Sequence, residues 1–403
     1  MGIISTDKLK QGMVLDSDVR DIAGRLLLKK GLQIDLNHVK TLKRWGITEV
    51  NIIDSIGEKV SVLSAEPDQL EEHNEKTKDI FRHCDFSHPA VKELFRLAVL
   101  FRPQNEAKTV KKDLIEPDNN NSVKFHDIRE KIIERKIKLP EIPSIVFELN
   151  KVIVNPLSTA NDISQVVSKS PSLTASLLRI VNSSFYGLPS KIDSISRAVT
   201  LIGTKEITGL ALGINTLALF RDIPGDIVDM YAFVKHSVAC GIVSRILAAY
   251  MNLQLTEQFF VSGLLHDVGK LILYKYFPVE AKNILRRAIE LHNLFFREEM
   301  KTMGCNHTHI SRFLWEKWKL PPSLADNIIH HHNPSDADNP FHAGIVHLAD
   351  IMVNGLGIGS SGERYVPPLD NQTWESLGLS PNSFEVIIQQ ANHQLFVLEA
   401  FLQ

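Results

Sequence analysis

The spacing of apolar residues changes along this chain, and the change is the strongest constraint on its fold. From about residue 123 onward strand signals nearly vanish, and apolar residues recur three or four positions apart, as in Ile145, Leu149 and Val152. The same spacing continues through residues 173–181, 207–220 and 227–251. Such spacing is typical of amphipathic helices that bury one face against their neighbours. The second half of the chain is therefore predicted to be a helical bundle.

The first 55 residues have a different pattern. Short β-like runs at residues 13–15 and 26–28 are separated by turn signals at Ala23-Gly24 and Gly31, and residues 49–53 return to strand character. Between them, residues 35–45 carry apolar side chains at helical spacing. We predict a small β-rich N-terminal domain over residues 1–55 with one helix.

A polar segment separates the two patterns. Residues 76–101 show helical spacing, whereas residues 103–122 lose periodicity and accumulate proline, asparagine and charge. A chain of 403 residues is also expected to form more than one domain. We predict a helical connector and polar linker over residues 56–122 and an all-helical domain over 123–403, with a subdomain from about 223 to 403.

Composition narrows the classes of protein that the chain could represent. Apolar residues make up 44% and charged residues 23%, which is ordinary globular usage. A net charge of −2 gives no overall attraction to nucleic acid or to an anionic membrane, so neither is predicted as a partner. Three widely spaced cysteines, no signal-peptide core and no continuous apolar span favour a cytoplasmic protein.

The sharpest chemical feature is the doublet His266-Asp267 within GLLHDVGK. Adjacent side chains on a helix diverge by about 100°, so both could bind one metal only with local distortion or with help from other helices. Further candidate ligands are His236, His307, the run at residues 330–332, and Asp350. Several histidines with two carboxylates suit Fe, Mn, Ni or Zn, could hold two ions and could activate water for attack on phosphorus. A single histidine on an apolar face is more often a core residue.

The block from Leu139 to Gly203 resembles the opening helices of the HDOD domain, a branch of the HD superfamily of metal-dependent phosphohydrolases. The resemblance includes Leu139-Pro140, Ser170-Pro171, Asn182-Ser183 and Phe185-Tyr186-Gly187, with Ser170 where the family usually has aspartate. It implies an all-helical fold. The first fifty residues are similar to the small domain that precedes many HD-GYP cyclic-dinucleotide phosphodiesterases.

The resemblance also implies roles for individual residues. In the superfamily order, His236 matches the first histidine ligand, His266 and Asp267 the doublet, and Asp350 the closing aspartate. Two-metal relatives add ligands at the positions of His307, His331 and His332. Lys270 matches a lysine that contacts substrate phosphate, so Asp267 and Lys270 are the catalytic candidates if the protein is active.

Two smaller features refine this assignment. In HDOD sequences the histidine pair usually precedes a proline, which selects His331 and His332 before Asn333-Pro334 and leaves His330 as an extra. The element Gly304-Cys305-Asn306-His307 is similar to a family Gly-x-Asp-His element with Asn306 in place of aspartate, which leaves His309 as a bystander.

The resemblance to active phosphodiesterases stops at the metal ligands, because NPSDADNP follows His332 and contains no Gly-Tyr-Pro signature. HDOD domains are generally regarded as regulatory output modules. We therefore predict a signal-transduction module that acts by binding a signalling protein or a small ligand such as a nucleotide, with a divalent metal site. The alternative is a metal-dependent phosphohydrolase acting on nucleotides or cyclic dinucleotides. A third possibility, a DNA- or RNA-binding regulator, is not favoured, because the sequence has no stripe of basic residues.

Overall fold

The structure is a computed structural model that describes residues 67–105, 144–154, 158–182, 191–220, 222–254, 256–318 and 322–402, together with parts of residues 2–52. In the N-terminal part, β1 (Gly2–Ser5) pairs antiparallel with β4 (Glu49–Ile52), and β2 (Val19–Arg20) pairs antiparallel with β3 (Leu26–Leu28). A separate small core forms beneath these strands, from Leu15, Val19, Leu28, Ile34, Leu42 and Val50. The β-rich N-terminal unit is thus confirmed.

Some predictions for this unit cannot be compared with the structure. Ala23, Gly24 and Trp45 lie outside the described residues. The similarity to the domain that precedes HD-GYP phosphodiesterases stays a prediction.

The rest of the described chain is helical, which confirms the predicted fold class. Its helices are α1 (Pro67–Ile80), α2 (Pro89–Asn105), α3 (Ser144–Val154), α4 (Ala160–Ser168), α5 (Pro171–Val181), α6 (Ile195–Ile202), α7 (Thr204–Ala218), α8 (Met230–Tyr250), α9 (Thr256–Leu265), α10 (Val268–Tyr276), α11 (Pro278–Glu290), α12 (Phe295–Met303), α13 (His307–Trp318), α14 (Pro322–Ile329), α15 (Pro340–Leu356), α16 (Asn371–Leu377) and α17 (Ser383–Leu402).

Local sequence explains where several of these helices begin and end. Ser170 is the N-cap of α5, where its hydroxyl accepts a hydrogen bond from the Leu173 amide, so serine does at this position what aspartate would do. Pro171 occupies the first turn, where its missing N–H has no helical partner to lose. Past the end of α5, the Asn182 amide exchanges hydrogen bonds with both backbone groups of Ile192. Ser170 and Asn182 therefore both have structural roles. Residues 183–190 lie outside the described part of the chain.

Helix α8 is the centre of the helical body. It packs against α9, α15 and α17, and its buried residues cover every face of the helix. By length and apolar composition α8 could cross a membrane, but 72% of its apolar window is buried inside the protein. The same length and composition suit the central helix of a large core.

The predicted connector packs onto this body. Helix α2 contacts α15, and Phe81 and Leu94 belong to the same hydrophobic core as the C-terminal helices. The Arg102 guanidinium donates hydrogen bonds to the carbonyl oxygens of Asn354 and Gly355 near the C-terminal end of α15, at 2.9 and 3.1 Å. The two connector helices are thus held against the helix that carries Asp350. The predicted domain boundaries themselves stay predictions.

Candidate metal centre

The His266-Asp267 doublet lies at an interruption between two helices. Helix α9 ends at Leu265 and α10 begins at Val268, with Asp267 at φ −97° and ψ 14° outside helical geometry. Because the backbone turns here, both side chains point to the same side, and His266 Nε2 lies 3.2 Å from Asp267 Oδ2. The local distortion that adjacent ligands require is therefore present.

Two glycines allow the helices around the doublet to approach closely. A Cβ at Gly263 of α9 would lie 2.5 Å from the carbonyl oxygen of Cys240 in α8, and a Cβ at Gly269 of α10 would collide with the carbonyl of His307 in α13. Only glycine permits backbones to approach this closely. These contacts bring α8, α9, α10 and α13 to one point.

A first group of donors lies where α8, α15 and the doublet meet. His236 Nε2 is 3.3 Å from Asp350 Oδ1, and His266 Nε2 is 3.4 Å from the same oxygen. The thiol of Cys240 lies 3.6 Å from His236 Nε2. One donor atom from each of these four buried residues lies within 4.8 Å of the other three.

A second group consists of three histidines. His307 Nε2 lies 3.5 Å from His331 Nε2 and 3.1 Å from His332 Nε2. Asp267 stands between the two groups: its Oδ1 is 3.3 Å from His307 Nε2, while its Oδ2 faces His266. The structure thus brings all seven predicted ligands together with Lys270.

Hydrogen bonds on the outer side of the cluster fix the orientation of its imidazoles. The Nδ1 atoms of His266 and His331 each lie 2.7 Å from a backbone carbonyl oxygen, those of Gly263 and Ile328. Since a carbonyl only accepts, each Nδ1 must carry the hydrogen. In neutral imidazoles this leaves both Nε2 lone pairs facing the centre, the arrangement that metal-binding histidines adopt.

Buried glutamate fixes a third imidazole. Glu299 Oε2 accepts a hydrogen bond from the backbone N–H of His307 at 3.1 Å and lies 2.6 Å from its Nδ1. Burial raises the pKa of Glu299 to about 8. With its hydrogen on Nδ1, toward Glu299, His307 presents its Nε2 lone pair to the centre as well.

The electrostatics differ between the two groups. Burial, assisted by neighbouring positive charge, lowers the pKa of His307 and of His331 to about 3, so both are neutral. Burial also opposes charge on His266, but Asp267 and Asp350 prevail and raise its pKa to about 10. Without a metal, a proton on His266 balances the carboxylates, and a divalent cation would take its place. The donor types, their inward lone pairs and this charge balance fit a divalent metal.

The ammonium group of Lys270 is buried and contacts other side chains of the protein. Its ammonium is 2.9 Å from Asp267 Oδ2 and 3.1 Å from Ser361 Oγ, and the residue is 2% exposed. Burial disfavours the ammonium, but Asp267 prevails and raises the pKa of Lys270. The lysine thus neutralises a ligand carboxylate inside the protein.

His330 and His309, which were predicted to be bystanders, lie beside the cluster and bond to other residues. His330 Nδ1 is 2.8 Å from Asp326 Oδ1, and His309 Nδ1 accepts from the Asn306 amide. The Asn306 side-chain oxygen accepts from the backbone amides of Thr308 and His309 at the start of α13, so this asparagine caps the helix.

Sequence reasoning missed three residues that contact the ligands. Cys240 is four positions after His236, a spacing that places both on one face of α8 and could have revealed it. The role of Glu299 could not be predicted from the sequence, because its partner His307 lies on another helix. His347 donates from Nδ1 to the carbonyl oxygen of His331 and accepts from the Asp370 amide, which fixes the turn that carries His331.

The cluster reaches solvent at one described ligand. His332 is partly exposed, and its ring stacks on the partly exposed Phe296 with centroids 4.2 Å apart. The remaining ligand side chains are at most 5% exposed.

Comparison with known proteins identifies the domain that holds this cluster. Residues 139–334 match the family model of the HDOD domain. The chain contains an HDOD domain. This match confirms the resemblance in the opening helices and extends through the His331-His332 pair, while Asp350 lies beyond it.

A protein from Treponema pallidum is 24% identical to this chain over 247 residues. The alignment covers 60% of this chain and 46% of that protein, which is named only as an uncharacterized protein. The chain therefore spans less than half the length of this curated relative.

Solved structures share the HDOD fold. An HDOD domain protein of unknown function from Geobacter sulfurreducens has a TM-score of 0.56 and 20% identity, covering 69% of this chain and 98% of that one. A Marinobacter aquaeolei VT8 protein named for signal transduction has a TM-score of 0.54 and 23% identity, covering 67% and 61%. A Shewanella amazonensis SB2B protein named for metal-dependent phosphohydrolase activity has a TM-score of 0.51 and 15% identity, covering 69% and 98%. At these identities the likeness shows the fold alone.

Proposed function

We propose that this chain is a signal-transduction module whose HDOD domain holds divalent metal and acts by binding a signalling protein or a small ligand such as a nucleotide. The main observation behind this proposal is the burial of the ligand side chains. His236, His266, Asp267, His307 and His331 have side chains that are 0 or 1% exposed. A substrate phosphate would need access that these five residues do not offer.

The environment of Lys270 supports the same conclusion. A lysine that binds substrate phosphate must present its ammonium to the substrate, whereas this ammonium contacts Asp267 and Ser361. Breaking a buried pair of this kind is costly because it leaves an uncompensated charge. Lys270 therefore neutralises a ligand carboxylate and does not bind substrate.

The residues that would hold metal fall into two sets. His236, His266 and Asp350 form one set, and His307, His331 and His332 form the other. Asp267 has one oxygen toward each. Fe, Mn, Ni and Zn all suit such a mixture of imidazole and carboxylate. A bound ion would supply concentrated positive charge and Lewis acidity at the centre.

Elemental analysis of the purified protein tests the metal site. We expect stoichiometric divalent metal in the wild type after anaerobic, metal-replete preparation, and its loss in the double variant His266→Ala, Asp267→Ala. His330→Ala is the matched control, because this histidine is adjacent to the cluster and bonds to Asp326 instead. Metal-free wild-type protein would contradict the proposal.

A second function, metal-dependent phosphohydrolysis, is favoured by one observation. Asp267 lies between two donor sets, an arrangement suited to a pair of metal ions acting on one phosphoryl group. The partly exposed side at His332 and Phe296 would be the approach for substrate.

Turnover separates the two functions. Metal-loaded protein is incubated with a panel of nucleotides and cyclic dinucleotides, and phosphate or nucleotide products are measured. The signalling proposal expects bound metal without hydrolysis. Hydrolysis that is absent from the His266→Ala, Asp267→Ala variant would replace it with the hydrolase.

A further inference from the structure

We propose that Cys240 is a further metal ligand, which joins His236, His266 and Asp350 in the first donor group. The inference rests on the proposed metal binding and adds a ligand that the HD pattern of histidines and aspartates does not contain. With Asp267 Oδ2 beside His266, this group would offer a metal ion five protein donors.

The position of Cys240 on α8 favours ligation. It follows His236 by four residues, and side chains with this spacing lie on the same face of a helix. Its Sγ lies 3.6 Å from His236 Nε2, and both side chains are fully buried. The close passage of α9 at Gly263 brings the doublet against the same face.

Three of the donor separations match those expected between ligands of one metal ion. With zinc–sulfur and zinc–nitrogen bonds of about 2.3 and 2.05 Å, tetrahedral sulfur and nitrogen donors lie about 3.6 Å apart, and two nitrogen or oxygen donors about 3.3 Å apart. The sulfur of Cys240 and the nitrogen of His236 are separated by 3.6 Å. Asp350 Oδ1 lies 3.3 and 3.4 Å from the nitrogens of His236 and His266.

A second observation points to a ligand at the same place. His266 Nε2 is fully buried and makes no hydrogen bond of good geometry, although carboxylate oxygens of Asp267 and Asp350 lie 3.2 and 3.4 Å away. Its Nδ1 is engaged by the Gly263 carbonyl, so Nε2 is the atom that faces Asp350 and the other donors. Leaving a buried polar atom without a good partner is destabilising, and a cation between these donors would remove that penalty.

Ligation by sulfur would narrow the choice of metal. A thiolate favours zinc or iron over manganese, which prefers oxygen donors. Binding requires the thiol to lose its proton to solvent as the metal–sulfur bond forms. The second donor set, which has three histidines and no cysteine, carries no such preference.

Spectroscopy of the full-length protein tests this ligand. Cobalt(II) is added to metal-free protein, and both the visible d–d bands and the near-ultraviolet cobalt–thiolate charge-transfer band are recorded. We expect both in the wild type. Cys240→Ser should lose the charge-transfer band and weaken cobalt binding at this centre by at least about tenfold. Cys84→Ser and Cys305→Ser should keep the band.

X-ray absorption of the zinc-loaded wild type gives a test that needs no variant. The proposal expects a sulfur neighbour at about 2.3 Å from zinc. Visible cobalt bands without a charge-transfer band, or zinc with only nitrogen and oxygen neighbours, would overturn the role of Cys240 and leave the metal site standing. An absence of all cobalt bands would overturn both.

Discussion

The Nε2 atoms of His307 and His331 face each other at 3.5 Å, although each imidazole has already committed its Nδ1 hydrogen to another group. Both rings are neutral, since burial lowers their pKa to about 3. Two lone pairs therefore face each other across this gap. A cation between them would convert repulsion into ligation.

Metal should therefore stabilise the folded protein. At a free metal concentration 100 times Kd the gain is about 2.7 kcal/mol, and we expect the melting temperature to rise when zinc or manganese is added to chelator-treated protein. His331→Ala should abolish most of the rise, whereas His330→Ala should keep it. An equal rise in both variants would show that the ion binds elsewhere.

Lys270 should matter most when metal is absent. In chelator, Lys270→Met leaves Asp267 without its ammonium partner, and we expect a loss of about 3–5 kcal/mol in the free energy of unfolding measured with urea. The control is Lys275→Met on the same helix, because its partner Asp222 is largely exposed and the pair should contribute at most about 1 kcal/mol. Similar losses in the two variants would contradict the role assigned to Lys270.

The helix crossing at Gly263 should not tolerate a larger side chain. Gly263→Ala places a methyl group 2.5 Å from the Cys240 carbonyl oxygen, so we expect α8 and α9 to separate, with a loss of about 1–3 kcal/mol and weaker metal binding. Gly225→Ala has nothing within 4 Å of the new methyl group and should change stability by no more than about 0.5 kcal/mol. Calorimetric metal titration and urea unfolding of both variants test this difference.

Glu363 should make stability depend on pH. Burial raises its pKa from 4.5 to about 8, while its carboxylate oxygens accept from the Phe295 amide. The folded state then keeps a proton that the unfolded state releases, so stability falls as pH rises from about 4.5 to 8 and levels above that. The contribution is on the order of 5 kcal/mol, since a pKa difference of one corresponds to about 1.4 kcal/mol.

The Glu363→Gln variant tests this assignment in metal-free protein. Its unfolding free energy should fall less steeply between pH 5 and pH 8 than that of the wild type, with a remaining slope from Glu299. Glu375→Gln, on the surface of α16, should reproduce the wild-type curve. Parallel curves for Glu363→Gln and wild type would remove Glu363 as the source.

The helical body and the donor types could be predicted from sequence because both depend on local patterns. Apolar spacing marks helices wherever one face is buried, and the order of His236, His266, Asp267, His307 and Asp350 can be seen without coordinates. The interruption of the helix at His266-Asp267 could not be seen directly, because apolar residues continue on both sides of it. A distortion could be inferred there only because two adjacent residues cannot both bind one metal from a regular helix.

Other features depended on contacts between distant segments. Cys240 lies among apolar residues of α8 and has the sequence surroundings of an ordinary core cysteine. The role of Glu299 depends on the packing of α12 against the start of α13. The attachment of α2 to α15 likewise joins residues far apart in sequence, which local spacing does not encode.

The donors of the cluster come from residues 236 to 350 and are carried by helices that meet only in the finished fold. No short piece of the chain contains a complete set, so a folding intermediate with a few helices would have little to offer a metal. Contacts of such long sequence separation form slowly because their loops must close first. We therefore expect metal to bind late in folding, once the whole helical topology has formed.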